Sequence, residues 1–147
     1  MEEKINMEIR ELMNSEIDEI MKIWLKSTVK AHDFIEEEYW NKNYEVVKNI
    51  YIPMAKTFVY YDDGKIKGFI SIINNEFIGA LFVDVKNQGN GIGGTLIDYV
   101  KKKYGNIELA VYKMNEKAVE FYKKKGFEII KEQENEDSGF LEYIMKC

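Results

Sequence analysis

The stretch from Leu81 to Ile97 constrains this chain more than any other. It opens with the apolar, β-prone run Leu81-Phe82-Val83 and passes through Gln88-Gly89-Asn90-Gly91-Ile92-Gly93-Gly94, with four glycines in six residues. It then continues as a helix in which Ile92, Leu96, Ile97 and Val100 recur at helical spacing, so one face is predicted to be buried. Strand, glycine loop and helix N-terminus in that order make an anion site. The first amides of a helix have no partner of their own, and the helix dipole favours negative charge there. A side chain at the glycine positions would hold a phosphate away from the backbone. The stretch reads as a cradle for a diphosphate.

The rest of the sequence narrows the class. A chain of 147 residues suits one domain over 1–147, able to bury roughly two thirds of its unfolded surface. Apolar residues make up 46% and charged residues 32%, values ordinary for a globular enzyme or binding module. The net charge of −5 argues against a nucleic-acid partner, which calls for a basic stripe, and is compatible with a cationic acceptor such as an amine. The single cysteine, Cys147, forms no disulfide framework and points to a reducing, cytoplasmic setting. With one cysteine and one histidine, no soft-ligand metal cluster is expected. The first ten residues lack the apolar centre of a signal peptide, and no apolar run is long enough for a membrane span.

Along the chain, Ile5 to Arg10 alternates as a first strand. Asn14 or Ser15 is placed to cap a helix running to about Ala31, with Ile17, Ile20, Met21, Trp24 and Thr28 on its inner face. Glu36-Glu37-Glu38 reads as the acidic first turn of a second helix, expected to end near Ile52, before or at Pro53. The period then changes to two. Strands are predicted over 57–61, 66–73 and 77–83, with turns at Asp62-Asp63-Gly64-Lys65 and Asn74-Asn75. After the helix at 91–104 come a strand at 107–112, parallel to the one before the loop, a helix capped by Asn115 and closed by Gly126, and strands at 127–131 and 140–145.

Three phosphate-binding patterns compete for the glycine loop. Gly89-x-Gly91-x-x-Gly94 fits the dinucleotide fingerprint literally, but antiparallel strands precede it and only 53 residues follow Gly94. A P-loop needs lysine and then serine or threonine after its last glycine; here Thr95 follows Gly94 directly. The third pattern uses more of the residues. Gln88-x-x-Gly91-x-Gly93 is followed, one strand–helix unit later, by Asn115-x-x-Ala118-x-x-Phe121-Tyr122-x-x-x-Gly126-Phe127.

Together these resemble the GNAT N-acetyltransferase family, whose acetyl-CoA signature is Q/R-x-x-G-x-G/A, and the order of elements is similar along almost the whole chain. Ile23-Trp24-Leu25, His32-Asp33-Phe34-Ile35 and Tyr39-Trp40 are similar to a run in the small bacterial YiaC/YjaB-like branch, whose YiaC-type members are described as peptidyl-lysine acetyltransferases. The resemblance implies a mixed α/β (α+β) fold: a mostly antiparallel sheet of about seven strands, one splayed parallel pair and about four helices. It implies acetyl-CoA as co-substrate and no metal. Carried over position by position, it assigns the backbone of Leu81, Phe82 and Val83 to the pantetheine arm and Gln88 to Gly94 to the diphosphate. Asn115 falls to the pantetheine side and Tyr122 to the general acid that protonates the leaving thiolate.

One departure stands out. Where related members often carry a glutamate base, this chain has Ala110. Glu108, Glu76, Asp84 and His32 are the candidates left for a base, beside a chain of ordered water. Acceptor recognition falls to His32, Phe34, Tyr39 and Trp40, with Glu36 to Glu38 either joining them or forming a solvated helix start. Cys147 is a poor nucleophile at the end of the chain. The expected activity is acetyl transfer from acetyl-CoA to a primary amine, peptidyl-lysine or small, directly in a ternary complex, by a monomer or homodimer without membrane partners. The alternative, motivated by Ala110, is a non-catalytic acyl-CoA-binding or sensing module.

Overall fold

The computed structural model describes residues 7–147; Ile5, expected on the first strand, lies outside them. Strand β1 (Glu8–Glu11) leads through a 3-10 turn (Asn14–Glu16) into α1 (Ile17–Ala31). Helix α2 (Glu37–Val46) runs on through a π-helical segment (Val47–Tyr51) into α3 (Ile52–Met54), so the three form one continuous helical body. Then follow β2 (Lys56–Asp62), β3 (Lys65–Ile73), β4 (Phe77–Val83), α4 (Ile92–Tyr104), β5 (Glu108–Tyr112), α5 (Glu116–Lys124), β6 (Glu128–Glu134) and β7 (Leu141–Lys146).

The strands make one seven-stranded sheet in the order β1-β2-β3-β4-β5-β7-β6. Every neighbouring pair is antiparallel except β4 and β5. Period-two alternation sends successive side chains to opposite faces, and each face has its own core. Phe58, Ile70 and Ile72 meet Leu96, Ile97 and Val100 of α4 on one side; Val59 and Phe69 meet Ile20, Met21 and Trp24 of α1 on the other. Leu96, Ile97 and Val100 are fully buried, and each contributes about 1.5–3 kcal/mol relative to exposure.

Glycine 68 sets how closely α4 lies on the sheet. A Cβ there would stand 3.1 Å from both Ile92 Cγ2 and the Phe82 carbonyl oxygen, so any larger residue pushes the start of α4 outward.

Two local expectations are corrected. Neither Asn14 nor Ser15 caps α1 through its side chain; the Glu16 carboxylate accepts from the Met13 amide at 2.9 Å and is held by Arg10 at 2.8 Å. The second helical body does not stop at Pro53 but carries it inside α3. A proline ring crowds the carbonyl of the preceding turn, and the wide π-helical turn just upstream gives it room.

Candidate active site

Strands β4 and β5 pair only at Phe77–Glu108 and Ile78–Leu109. Beyond those two pairs they diverge, and the gap continues into a cleft of 1020 Å³ between the end of α1, the start of α4 and α5. The Asp84 amide donates to the Lys67 carbonyl on β3. Backbone direction alternates along a strand, so Phe82 also turns its main chain to β3, while Leu81 and Val83 turn theirs toward the gap. Of the three β4 residues assigned to a ligand's main-chain bonding, two present their backbone to the cleft. The Val83 carbonyl is engaged already, accepting from Ser27 Oγ at 3.0 Å and from Gln88 Nε2 at 3.1 Å, which leaves its amide for a ligand.

The glycine loop is shaped as the spacing required. Gly91 has φ +79° and is the N-cap of α4, with no side chain satisfying the amides behind it. The first amide of the helix with an internal partner is that of Thr95, donating to the Gly91 carbonyl at 3.0 Å. The amides of Ile92, Gly93 and Gly94 are thus the unpartnered ones expected at a helix start. A Cβ on Gly89 or Gly91 would meet nothing within 4 Å, so their role is the left-handed turn and the open space beside it. Gln88, Gly89, Gly91, Ile92, Gly93 and Gly94 all border the cleft, whereas Asn90 does not. The Ile92 side chain is buried beneath the helix, so only its amide can face a ligand.

On the opposite wall, Asn115 caps α5, its Oδ1 accepting from the Ala118 amide at 3.4 Å. Tyr122 lies one helical stretch further along α5 and borders the cleft beside Phe121. Burial pushes its phenol well above the usual tyrosine range. It keeps its proton at any working pH.

The acceptor end differs from expectation. His32 and Trp40 border the cleft, but Phe34 and Tyr39 do not. Phe34 packs on Phe140 at 5.4 Å and on Tyr112 at 5.8 Å between ring centroids. The Tyr39 hydroxyl donates to Asp137, and Tyr112 donates to Ser138 at 3.0 Å. Phe34 and Tyr39 thus tie the β6–β7 loop to the α1–α2 segment and act behind the wall rather than on it. Burial and that bond to Asp137 raise the Tyr39 hydroxyl far above its ordinary range. Trp40 Nε1 is buried without a partner among the described residues.

Of the candidate bases, Glu76, Asp84 and Glu108 do not border the cleft; His32 does. Asp84 is occupied in capping a 3-10 turn, its Oδ1 accepting from the Lys86 amide. Ala110 is exposed and contributes a bare stretch of cleft wall. Sequence reading missed Ser27 and Tyr112. Ser27 is three residues past Trp24 on the buried face of α1, and Tyr112 is two past Ala110 on one strand face; both spacings were available as signals. Among the described residues, no three histidine, cysteine or acidic side chains gather as a metal site, and no helix is long and apolar enough to cross a membrane.

A splayed parallel strand pair beside a helix start with unpartnered amides is the architecture of an acyl-CoA-dependent acyltransferase. Residues 28–147 match the family described as "Acetyltransferase (GNAT) domain", and the chain belongs to the GNAT acetyltransferases. It is 38% identical over 122 residues to peptidyl-lysine N-acetyltransferase YiaC of Escherichia coli K12, covering 83% of this chain and 84% of that one. The solution structure of apo-form YjaB from Escherichia coli superposes with a TM-score of 0.84 at 27% identity, over 95% of this chain and 96% of the other. The PaiA N-acetyltransferase of Thermoplasma acidophilum, solved in complex with coenzyme A, shares the fold at a TM-score of 0.77 and 22% identity, over 95% and 97%. Acetyl-CoA is accordingly the co-substrate. The residues present fit it: unpartnered amides on α4 suit a diphosphate, and the free edge of β4 suits an amide-bearing arm.

Proposed function

We propose that this chain, as a single GNAT domain, acetylates a primary amine, peptidyl-lysine or a small amine, by direct transfer with both substrates in the cleft. The observation that carries the reading is the β4–β5 gap ending on the bare amides of α4. The amides of Ile92, Gly93 and Gly94, with those of the loop from Gln88, hold the diphosphate. Leu81 and Val83 align the pantetheine arm along the edge of β4, and Asn115 holds it from the other wall. Bound acetyl-CoA supplies an acetyl group activated as a thioester.

Tyr122 is the acid. Its pKa lies above even the ordinary phenol value and hence above the roughly 8.5 of a thiol, so complete proton transfer to a thiolate is uphill. Its hydroxyl works chiefly by donating a hydrogen bond to negative charge growing on sulfur. The attacking amine must first lose a proton. Ala110 offers no carboxylate for this, the acidic candidates flanking β4 and on β5 stand outside the cleft, and the free nitrogen of His32 faces Asn115, so water reached through the open mouth takes that proton. Trp40 and His32 form the wall met by the amine, and an aromatic face suits an aliphatic ammonium before it is deprotonated.

The test has two stages. Calorimetry with acetyl-CoA should show binding, and release of free thiol should follow when lysine peptides, polyamines or simple amines are added. Absence of any heat at millimolar acetyl-CoA would remove the proposal. Binding without thiol release across a broad amine panel would replace catalysis with the acyl-CoA-sensing role.

A further inference from the structure

His32 is the only histidine in the sequence and one of the few buried polar residues. Its Nδ1 lies 2.8 Å from the Thr28 carbonyl oxygen, which can only accept, so Nδ1 carries the ring proton. In the neutral ring Nε2 is then a lone-pair acceptor. Asn115 Nδ2 lies 3.4 Å from that nitrogen. The opposite end of the same amide is fixed independently, because Asn115 Oδ1 accepts from the Ala118 amide. The chain Asn115→His32→Thr28 therefore has one consistent direction of donation, and it crosses the cleft from α5 to α1.

We infer that His32 is a positioning residue for the cofactor: together with the Ala118 amide it holds the Asn115 side chain so that its Nδ2 offers an N–H donor to an acyl-CoA carbonyl. The inference rests on the assignment of Asn115 to the pantetheine arm. One Nδ2 hydrogen is taken by His32 and the other remains for the ligand. Without an acceptor at Nε2, only the Ala118 amide still holds the side chain in this orientation, and the flipped form, which presents oxygen where a donor is needed, becomes more populated. An imidazolium has the same effect, since both its nitrogens donate. Two N–H groups would then face each other across 3.4 Å.

Burial lowers the tendency of His32 to protonate, so the neutral ring prevails at pH 7. The charged groups around it come from several elements. Lys30 and Asp33 at the end of α1 and Glu116 and Lys117 at the start of α5 border the same cleft. From β5 it meets Tyr112, a phenol kept neutral by burial, and from α2 the uncharged Trp40, with Tyr39 and its partner Asp137 behind.

The test compares His32→Phe, which keeps the aromatic packing against Trp40 and Tyr112, with His32→Gln, whose amide oxygen can replace the Nε2 acceptor. Acetyl-CoA affinity is read by calorimetry between pH 5 and pH 8, and kcat is read with saturating amine. His32→Phe should weaken acetyl-CoA binding about tenfold at pH 7, the size expected for one buried donor losing its partner. His32→Gln should restore most of the affinity. Wild-type binding should weaken as pH falls below the ordinary histidine range, and the His32→Gln protein should lack that limb. Ionisation of the ligand's own phosphate affects both proteins alike and cancels in the comparison. Asn115→Ala combined with His32→Phe should be no worse than Asn115→Ala alone.

A lowered kcat with unchanged affinity in His32→Phe would overturn the inference in favour of a base, and unchanged behaviour of both variants would remove it altogether. Failure of the wild-type protein to bind acetyl-CoA at all would instead strike the functional reading beneath it.

Discussion

Where the cleft borders α4 its wall is main chain: the edge of β4, a left-handed turn at Gly91 and three amides with nothing to bond. Where it borders α1 and α2 the wall is made of rings, His32, Trp40 and Tyr112 in front with Phe34 and Tyr39 stacked behind them. The first half is fixed by local sequence, since glycine spacing and a helix start determine where amides point. The second half exists only because distant segments meet, as when Tyr39 on α2 reaches Asp137 in the β6–β7 loop. A ligand common to many relatives can be met by backbone. An acceptor that differs between them calls for side chains, which change without disturbing the fold.

Four substitutions test that contrast, in decreasing order of expected effect. Gly91→Asp places a carboxylate and a Cβ at a φ of +79°, in the space reserved for phosphate, and should abolish acetyl-CoA binding by calorimetry while leaving the aromatic half folded. Phe34→Ala should act the other way. It removes a half-buried ring joining the turn between α1 and α2 to Phe140 and Tyr112, costing about 2 kcal/mol in a denaturant titration. It should raise KM for the amine while acetyl-CoA affinity stays within about twofold. If Phe34→Ala weakened acetyl-CoA as strongly as the amine, the two halves would not be separable.

Tyr122→Phe should slow transfer by about tenfold or more with acetyl-CoA affinity nearly intact. Because its pKa is raised, the wild-type rate should show no falling limb from this residue below about pH 10, checked by a pH–rate profile. Ser27→Ala is the mildest. It deprives the Val83 carbonyl of one of its two donors, costing about 1 kcal/mol of stability, and should weaken acetyl-CoA binding about threefold. A larger loss would mean that the main-chain half depends on side chains as much as its counterpart does.

The same contrast explains what could be read from sequence. The strand expected over 66–73 is β3, Lys65–Ile73, and Asn115 caps α5 as expected, because period and capping chemistry are local properties. The helix through Pro53 was not legible, since the π-helical turn that admits it has no residue signature of its own. Nor was the insertion of β7 between β5 and β6, which depends on the whole sheet. Phe34 and Tyr39 were expected on the acceptor and stand behind the wall instead. Aromatic residues beside a cleft and aromatic residues supporting one have the same composition; only their partners, about a hundred residues away in sequence, distinguish them.

Two rungs of strand pairing are all that join the left and right slabs of the sheet across its midline. A molecule held there as proposed, against β4 on one flank and α5 on the other, would be the missing brace. Occupancy and stiffness are then a single event. Filling the gap should slow amide exchange on both sides of the seam together, and the melting temperature should climb with ligand concentration as mass action requires.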